Sequence, residues 1–241
     1  MAGARALKLP RPLGEWWLYF AIGFALVFWG FWPSFFAVLQ STQLPHLIHG
    51  FSATCWMILG IVQASLIKFR KRAWHRKLGY SALVLAPIVV LSGLRVLQIN
   101  TLRTDAAKIM VRREFLYIDL TGLVLFSLFL GLAIAAARRR DFPLHLRLMA
   151  CTVLIPMEAA IERVLGNTMP SLFPGLEGEL QGGLVFMEVV LVVLIAGELK
   201  WRQLRWPFPT LLAYYLVMHA TKGWVAASPA WAAFGRWYGS L

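Results

Sequence analysis

The chain has 241 residues, 59% of them hydrophobic and only 15% charged, with a mean hydropathy of +0.66. Soluble domains carry roughly 25% charged residues and keep about half of their surface wet. The composition therefore excludes a water-soluble globular domain, a disordered tail and a disulfide scaffold. The 24 Lys and Arg outnumber the 11 Asp and Glu, for a net charge of +13. The basic residues stand in short clusters between apolar runs, as in membrane loops, and no nucleic-acid-binding motif accompanies them.

About 20 apolar residues are needed to cross the hydrocarbon core. Seven such runs occur, at 16–39, 44–68, 77–98, 115–137, 143–166, 180–199 and 207–227. The expected fold is all-α: a single polytopic bundle of seven transmembrane helices over 1–241. The first run is too long and too aromatic for a signal peptide and lacks a small-residue cleavage site, so it reads as an uncleaved anchor. Basic residues set the orientation. Arg5, Lys8 and Arg11, the 68–77 cluster, Arg138, Arg139, Arg140 and Arg147, and Lys200, Arg202 and Arg205 all fall on one side and make up 16 of the 24. The opposite side has one basic loop, with Arg95, Arg103, Lys108, Arg112 and Arg113. The positive-inside rule then puts the N-terminus in the cytoplasm and the C-terminus outside. Trp16, Trp17, Trp74, Trp201 and Trp206 mark the inner headgroup layer, and Trp32, Trp224, Trp231 and Trp237 the outer one. Trp29, Trp56, Cys55 and Cys151 lie deeper and read as bundle packing.

Ionisable groups inside a bilayer are costly and mark function by default. His46 and His49 open the second run. Asp119 lies in the fourth, Glu158, Glu162 and Arg163 in the fifth, Glu188 in the sixth, and His219 and Lys222 in the seventh. At about 1.5 Å per residue these groups share an outer layer. Glu158 and Glu162, at i and i+4, project from one helix face, as do His46 and His49 at i and i+3. Imidazole and carboxylate on facing helices form a ligand set for iron, zinc or manganese. The expected metal residues are His46, His49, Asp119, Glu158, Glu162, Glu188 and His219. Arg95, Arg163 and Lys222 occupy the same layer, so a structural ion-pair network and a proton or solute pathway stand beside the metal reading. Gln63, in the inner half of the second run, is expected to hydrogen-bond across helices. Pro156 is expected to kink the fifth run beside the acidic pair.

On the inner side, His75 in WHRKLGY and His145 in PLHLRLM are embedded among arginines. They read either as interfacial histidines on lipid phosphates or as a bis-histidine haem with arginines on its propionates.

FWPSFF (31–36), HLIHG (46–50), Gln63, HRKLG (75–79), Gly93, Asp119, HLRLM (145–149) and Arg163 together resemble an uncharacterised family of bacterial multi-pass membrane proteins. The likeness covers roughly residues 30–165 and departs from the family pattern at HLIHG, where two residues separate the histidines. It implies a multi-pass protein of the bacterial cytoplasmic membrane and names no reaction.

The leading functional expectation is a membrane protein holding haem b or a transition metal near the outer face. It would serve redox chemistry, with a quinone or a second membrane redox protein as partner. The alternatives are a proton-coupled or small-solute transporter that titrates Glu158, Glu162 and Glu188, a metal-dependent membrane hydrolase with metal-bound water as nucleophile, and a structural subunit.

Overall fold

The computed structural model describes residues 15–102 and 106–241; Arg5, Lys8, Arg11 and Arg103 lie outside them. Every regular element among the described residues is helical. The α-helices are α1 (Trp16–Phe31), α2 (Leu44–Lys68), α3 (Arg72–Gly79), α4 (Ala82–Thr101), α5 (Ile109–Arg138), α6 (Phe142–Leu154), α7 (Met157–Thr168), α8 (Gly175–Lys200), α9 (Pro207–Ala227) and α10 (Pro229–Ser240). Among them, α2, α4, α5 and α8 are long and apolar enough to cross a membrane.

The outward faces are as apolar as the core. Val124, Leu128 and Leu132 form an exposed stripe along α5, and Val185, Val189, Val192 and Val193 do so along α8. In water such stripes would cost roughly 25 cal/mol per Å²; hydrocarbon removes that cost. The buried core centres on α6 and α7. Leu148, Ala150, Cys151 and Ala160 are fully enclosed, and α1, α2, α5, α8 and α9 pack around these two helices. Cys151 therefore behaves as the sequence suggests, whereas Cys55 of α2 and Trp29 of α1 are exposed on the perimeter of the bundle.

Helix ends follow local chemistry. The first run stops at Phe31 and continues as a turn through Pro33 and a 3₁₀ segment, Phe36–Ser41. The fifth run is broken at Ile155–Pro156 into α6 and α7. The basic stretch before the third run folds as a separate short helix, α3, with no buried residue. Three helices share one ending. α2, α5 and α8 each close on an arginine in the left-handed region, at φ 60° for Arg70, 61° for Arg140 and 51° for Arg202. Behind each arginine the next amide reaches back to form a Schellman bond, Lys71 N to Leu66 O at 2.7 Å, Asp141 N to Ala136 O at 2.9 Å and Gln203 N to Glu198 O at 2.8 Å. Glycine is usual there; arginine instead sets a cation against the negative end of the helix dipole. These three turns, with α3, make one end of the bundle strongly basic. α10 packs against α4, α5 and α9; its Tyr238 hydroxyl donates to Leu94 O at 2.5 Å and its Trp231 ring N–H to Arg113 O at 3.0 Å.

Small residues set the helix spacing. A side chain at Gly30 would run into the Ala160 carbonyl of α7. A Cβ at Gly131, on the outer face of α5, would meet nothing within 4 Å. Gly131→Ala is therefore expected to raise stability by about 0.5–1 kcal/mol through helix propensity alone. Unfolding of the purified variant in mixed micelles measures this, and a loss of stability would show that the outer face of α5 is covered.

Candidate functional site

The break between α6 and α7 begins with Pro156, which has no N–H to donate and cannot continue the helix. Ile155 N still bonds Cys151 O at 3.0 Å, and the Tyr215 hydroxyl of α9 donates to Ile155 O at 3.4 Å. Helix α7 restarts at Met157 and carries Glu158 in its first turn, where the dipole favours a carboxylate. Glu162 follows one turn later on the same face. Both glutamates are buried, at 4% and 3% exposure. Their carboxyl groups are close enough to act on each other electrostatically. Oε1 of each acid is buried with no donor aimed at it. Gly182 and Gly183 let α8 come close; a Cβ at Gly183 would meet Glu162 Cγ at 2.6 Å.

Polar groups from other helices surround the pair. Asp119 of α5 interacts electrostatically with Glu158, Glu162 and Arg163. It makes none of the hydrogen bonds of the described residues and keeps accessible surface although it lies deep among the helices. Tyr214 of α9 donates to Ile118 O at 2.8 Å and contacts Thr121 Oγ1 at 3.1 Å. Arg163 approaches Glu162 Oε2 only to 3.9 Å. Its Nη1 donates to Ala159 O at 2.5 Å, and its guanidinium lies 4.4 Å from the Phe31 ring centre. Among the described residues, Arg163 is the cation that acts on Glu158, Glu162 and Asp119, while Glu179 of α8 adds a further carboxylate acting on Glu162; the position of Arg163 is set largely by groups outside these acids.

An ion pair stands on either side of this layer. Toward α10, Lys222 of α9 donates to Glu114 of α5 at 2.7 Å and to Glu177 of α8 at 2.9 Å. Toward the basic end, Arg147 of α6 pairs with Glu198 of α8; their side chains are 3% and 0% exposed. Along α8 the carboxyl layer at Gly183 is about 9 Å from Glu177 and about 22 Å from Glu198. The carboxyl pair is therefore enclosed between two buried ion pairs.

The remaining residues singled out from the sequence divide into separate groups. Glu188 accepts from His219 Nδ1 at 2.8 Å, and Gln181 occupies His219 Nε2, so both ring nitrogens are engaged. His49 Nδ1 meets Ser92 Oγ at 3.2 Å, with His46 close by on α2. Arg95 bonds Gln98. Gln63, expected to bond across helices, has both amide atoms buried without a partner. His75 and His145 come together at the basic end, their ring centres 6.3 Å apart. Among the described residues, no three His, Cys, Asp or Glu side chains gather as a metal-ligand set.

Sequence reasoning passed over Glu114, Glu198, Tyr214 and Tyr215, and treated Arg147 as a loop charge. One signal was available: Glu198 is a lone carboxylate at the basic end of an apolar run, which calls for a cation. Among the described residues the chain is helical, with four helices long and apolar enough to cross a membrane. It matches no family model, no curated protein and no solved structure.

Proposed function

We propose that the chain is a proton-coupled membrane carrier whose proton-binding group is the Glu158–Glu162 pair. The observation that carries this reading is the pair itself: two buried acids at a helix break, each with an oxygen that no donor reaches. Buried intramembrane carboxyl groups mark proton and ion pathways. Broken helices at the middle of a bundle are where carriers bind ions and substrates. The pair can hold a proton or exchange it for a small cation, with Asp119 as a further oxygen donor. Lys222–Glu114 and Arg147–Glu198 then serve as closures on the two sides, and opening one at a time gives alternating access. In this reading α1, the α6–α7 pair and α9 cross the membrane with α2, α4, α5 and α8, which makes seven crossings. The basic end and the N-terminus face the cytoplasm and α10 faces outside. The histidines of the outer half give less to a haem or metal centre, because His219 engages both of its nitrogens.

Proteoliposomes loaded with a pH-sensitive dye test this proposal. An imposed pH gradient should collapse on addition of Na⁺ or K⁺ faster than in empty vesicles. Glu158→Gln and Glu162→Gln should each slow the collapse by at least about tenfold, the scale of a lost acid–base group. Rates equal to wild type in both variants, or to empty vesicles in wild type, would overturn it.

A further inference from the structure

His75 of α3 and His145 of α6 stand apart from the carboxyl layer and take no part in the proposed transport. Their rings meet edge-on at the basic end, with centres 6.3 Å apart and planes at 89°. The Nδ1 of each faces a main-chain oxygen: His75 meets Gln63 O at 3.4 Å, and His145 meets Ala133 O at 2.9 Å. A carbonyl can only accept, so Nδ1 carries the proton in both rings and the Nε2 lone pair is left free in both. This is the outer-shell arrangement that orients metal-ligating histidines.

Two further observations point the same way. Metal–imidazole bonds of about 2.0–2.1 Å, with the ligands on opposite sides of one ion, place two ring centres about 6 Å apart. The side chain of Gln63, the residue whose carbonyl faces His75, has both amide atoms buried without a partner, and its Nε2 lies 3.8 Å from the Cβ position of Gly79, one turn along α3 from His75. A buried polar group left without a partner one turn of helix from His75 is what a nearby ligand site leaves when described from its protein atoms alone.

We infer that His75 and His145 form a bis-imidazole site for a transition metal at the basic end of the bundle, with Nε2 of each as ligand. The metal has two sources, a free divalent ion or the iron of haem. Around the site, Arg72, Arg76 and Lys77 on α3 and Arg138, Arg139 and Arg140 at the end of α5 give an excess of positive charge, which suits the anionic propionates of the second source.

The test uses the full-length protein in detergent, titrated separately with haemin and with Cu²⁺. A sharp, red-shifted Soret band saturating at one haemin per chain supports the site with haem as its source. A copper electron-paramagnetic-resonance spectrum split by two equivalent nitrogens supports it with a free ion. In either case His75→Ala and His145→Ala should each weaken binding by at least about tenfold, no less than outer-shell changes cost a metal site, while His49→Ala and His219→Ala leave it unchanged. The copper spectrum of the unaltered protein counts ligand nitrogens without depending on whether a variant folds. If neither probe binds at one per chain, if the copper spectrum lacks two nitrogens when copper alone binds, or if binding survives both substitutions, the inference is overturned. Because the readout is binding rather than proton movement, its failure leaves the carrier proposal standing.

Discussion

Arg147→Ala is expected to cost about 3–5 kcal/mol of stability, the scale for removing one member of a buried ion pair. Arg147 reaches three parts of the chain. Its Nε pairs with Glu198, its Nη1 donates to Pro143 O at 2.8 Å, and its Nη2 donates to Gln203 O at 3.1 Å. Glu198 in turn accepts from Arg205 N at 3.1 Å through its second oxygen. Taking away the guanidinium strands a fully buried carboxylate beside an apolar core. The loss therefore measures the stranded charge more than the net worth of the pair. The double variant Arg147→Met/Glu198→Leu removes both charges and keeps the volume, and should recover more than half of the loss. Unfolding of the purified proteins in mixed micelles reads both effects. A single-variant loss below about 1 kcal/mol, the range of an exposed pair, would show that water reaches Glu198 and that this end of the bundle is open.

Gly30→Ala and Gly183→Ala should separate stability from function. At Gly30 the new methyl meets the backbone carbonyl of Ala160. A backbone atom cannot rotate away, so α1 must part from α7, at a cost of about 1–3 kcal/mol. At Gly183 the new methyl meets Glu162 Cγ at 2.6 Å and the Glu158 carbonyl at a comfortable 3.5 Å. The Glu162 side chain can swing aside, and alanine adds up to about 1 kcal/mol of helix propensity. Gly183→Ala should therefore unfold within about 1 kcal/mol of wild type. Its proton exchange should still fall by at least about tenfold, because a displaced carboxyl no longer meets its partner. Full exchange activity in Gly183→Ala would separate Glu162 from the transport step. Unchanged stability in Gly30→Ala would mean that α1 and α7 do not touch as described.

The apolar runs led to the helices because a span is written locally: about 20 residues of low polarity in succession. The seventh run, 207–227, coincides with α9 (Pro207–Ala227), and Pro156 marks the break in the fifth. The i, i+4 spacing of Glu158 and Glu162 placed both acids on one face, since helix geometry alone requires it. The larger outer-layer cluster was drawn from depth alone. Depth says how far along a helix a residue sits and nothing about which way it faces. His49 turns toward Ser92, and His219 toward Glu188 and Gln181, so groups at similar depth face different neighbours. The ends of the bundle were harder to read. Pairs such as Arg147–Glu198, 51 residues apart, and Lys222–Glu114, 108 apart, leave no local pattern.

The sequence by itself determined the solvent of this protein, its helical class and the charge asymmetry between its two ends, because each follows from composition and from spacing within one helix. Only the tertiary structure decided which helices surround α6 and α7, and hence which acids are paired with cations and which are left with a bare oxygen. The physical reason is that a single helix fixes the angle between its own side chains but not the neighbour each one meets. In a low-dielectric interior it is that neighbour, more than the residue type, that decides whether a charge is a structural tie or a working group.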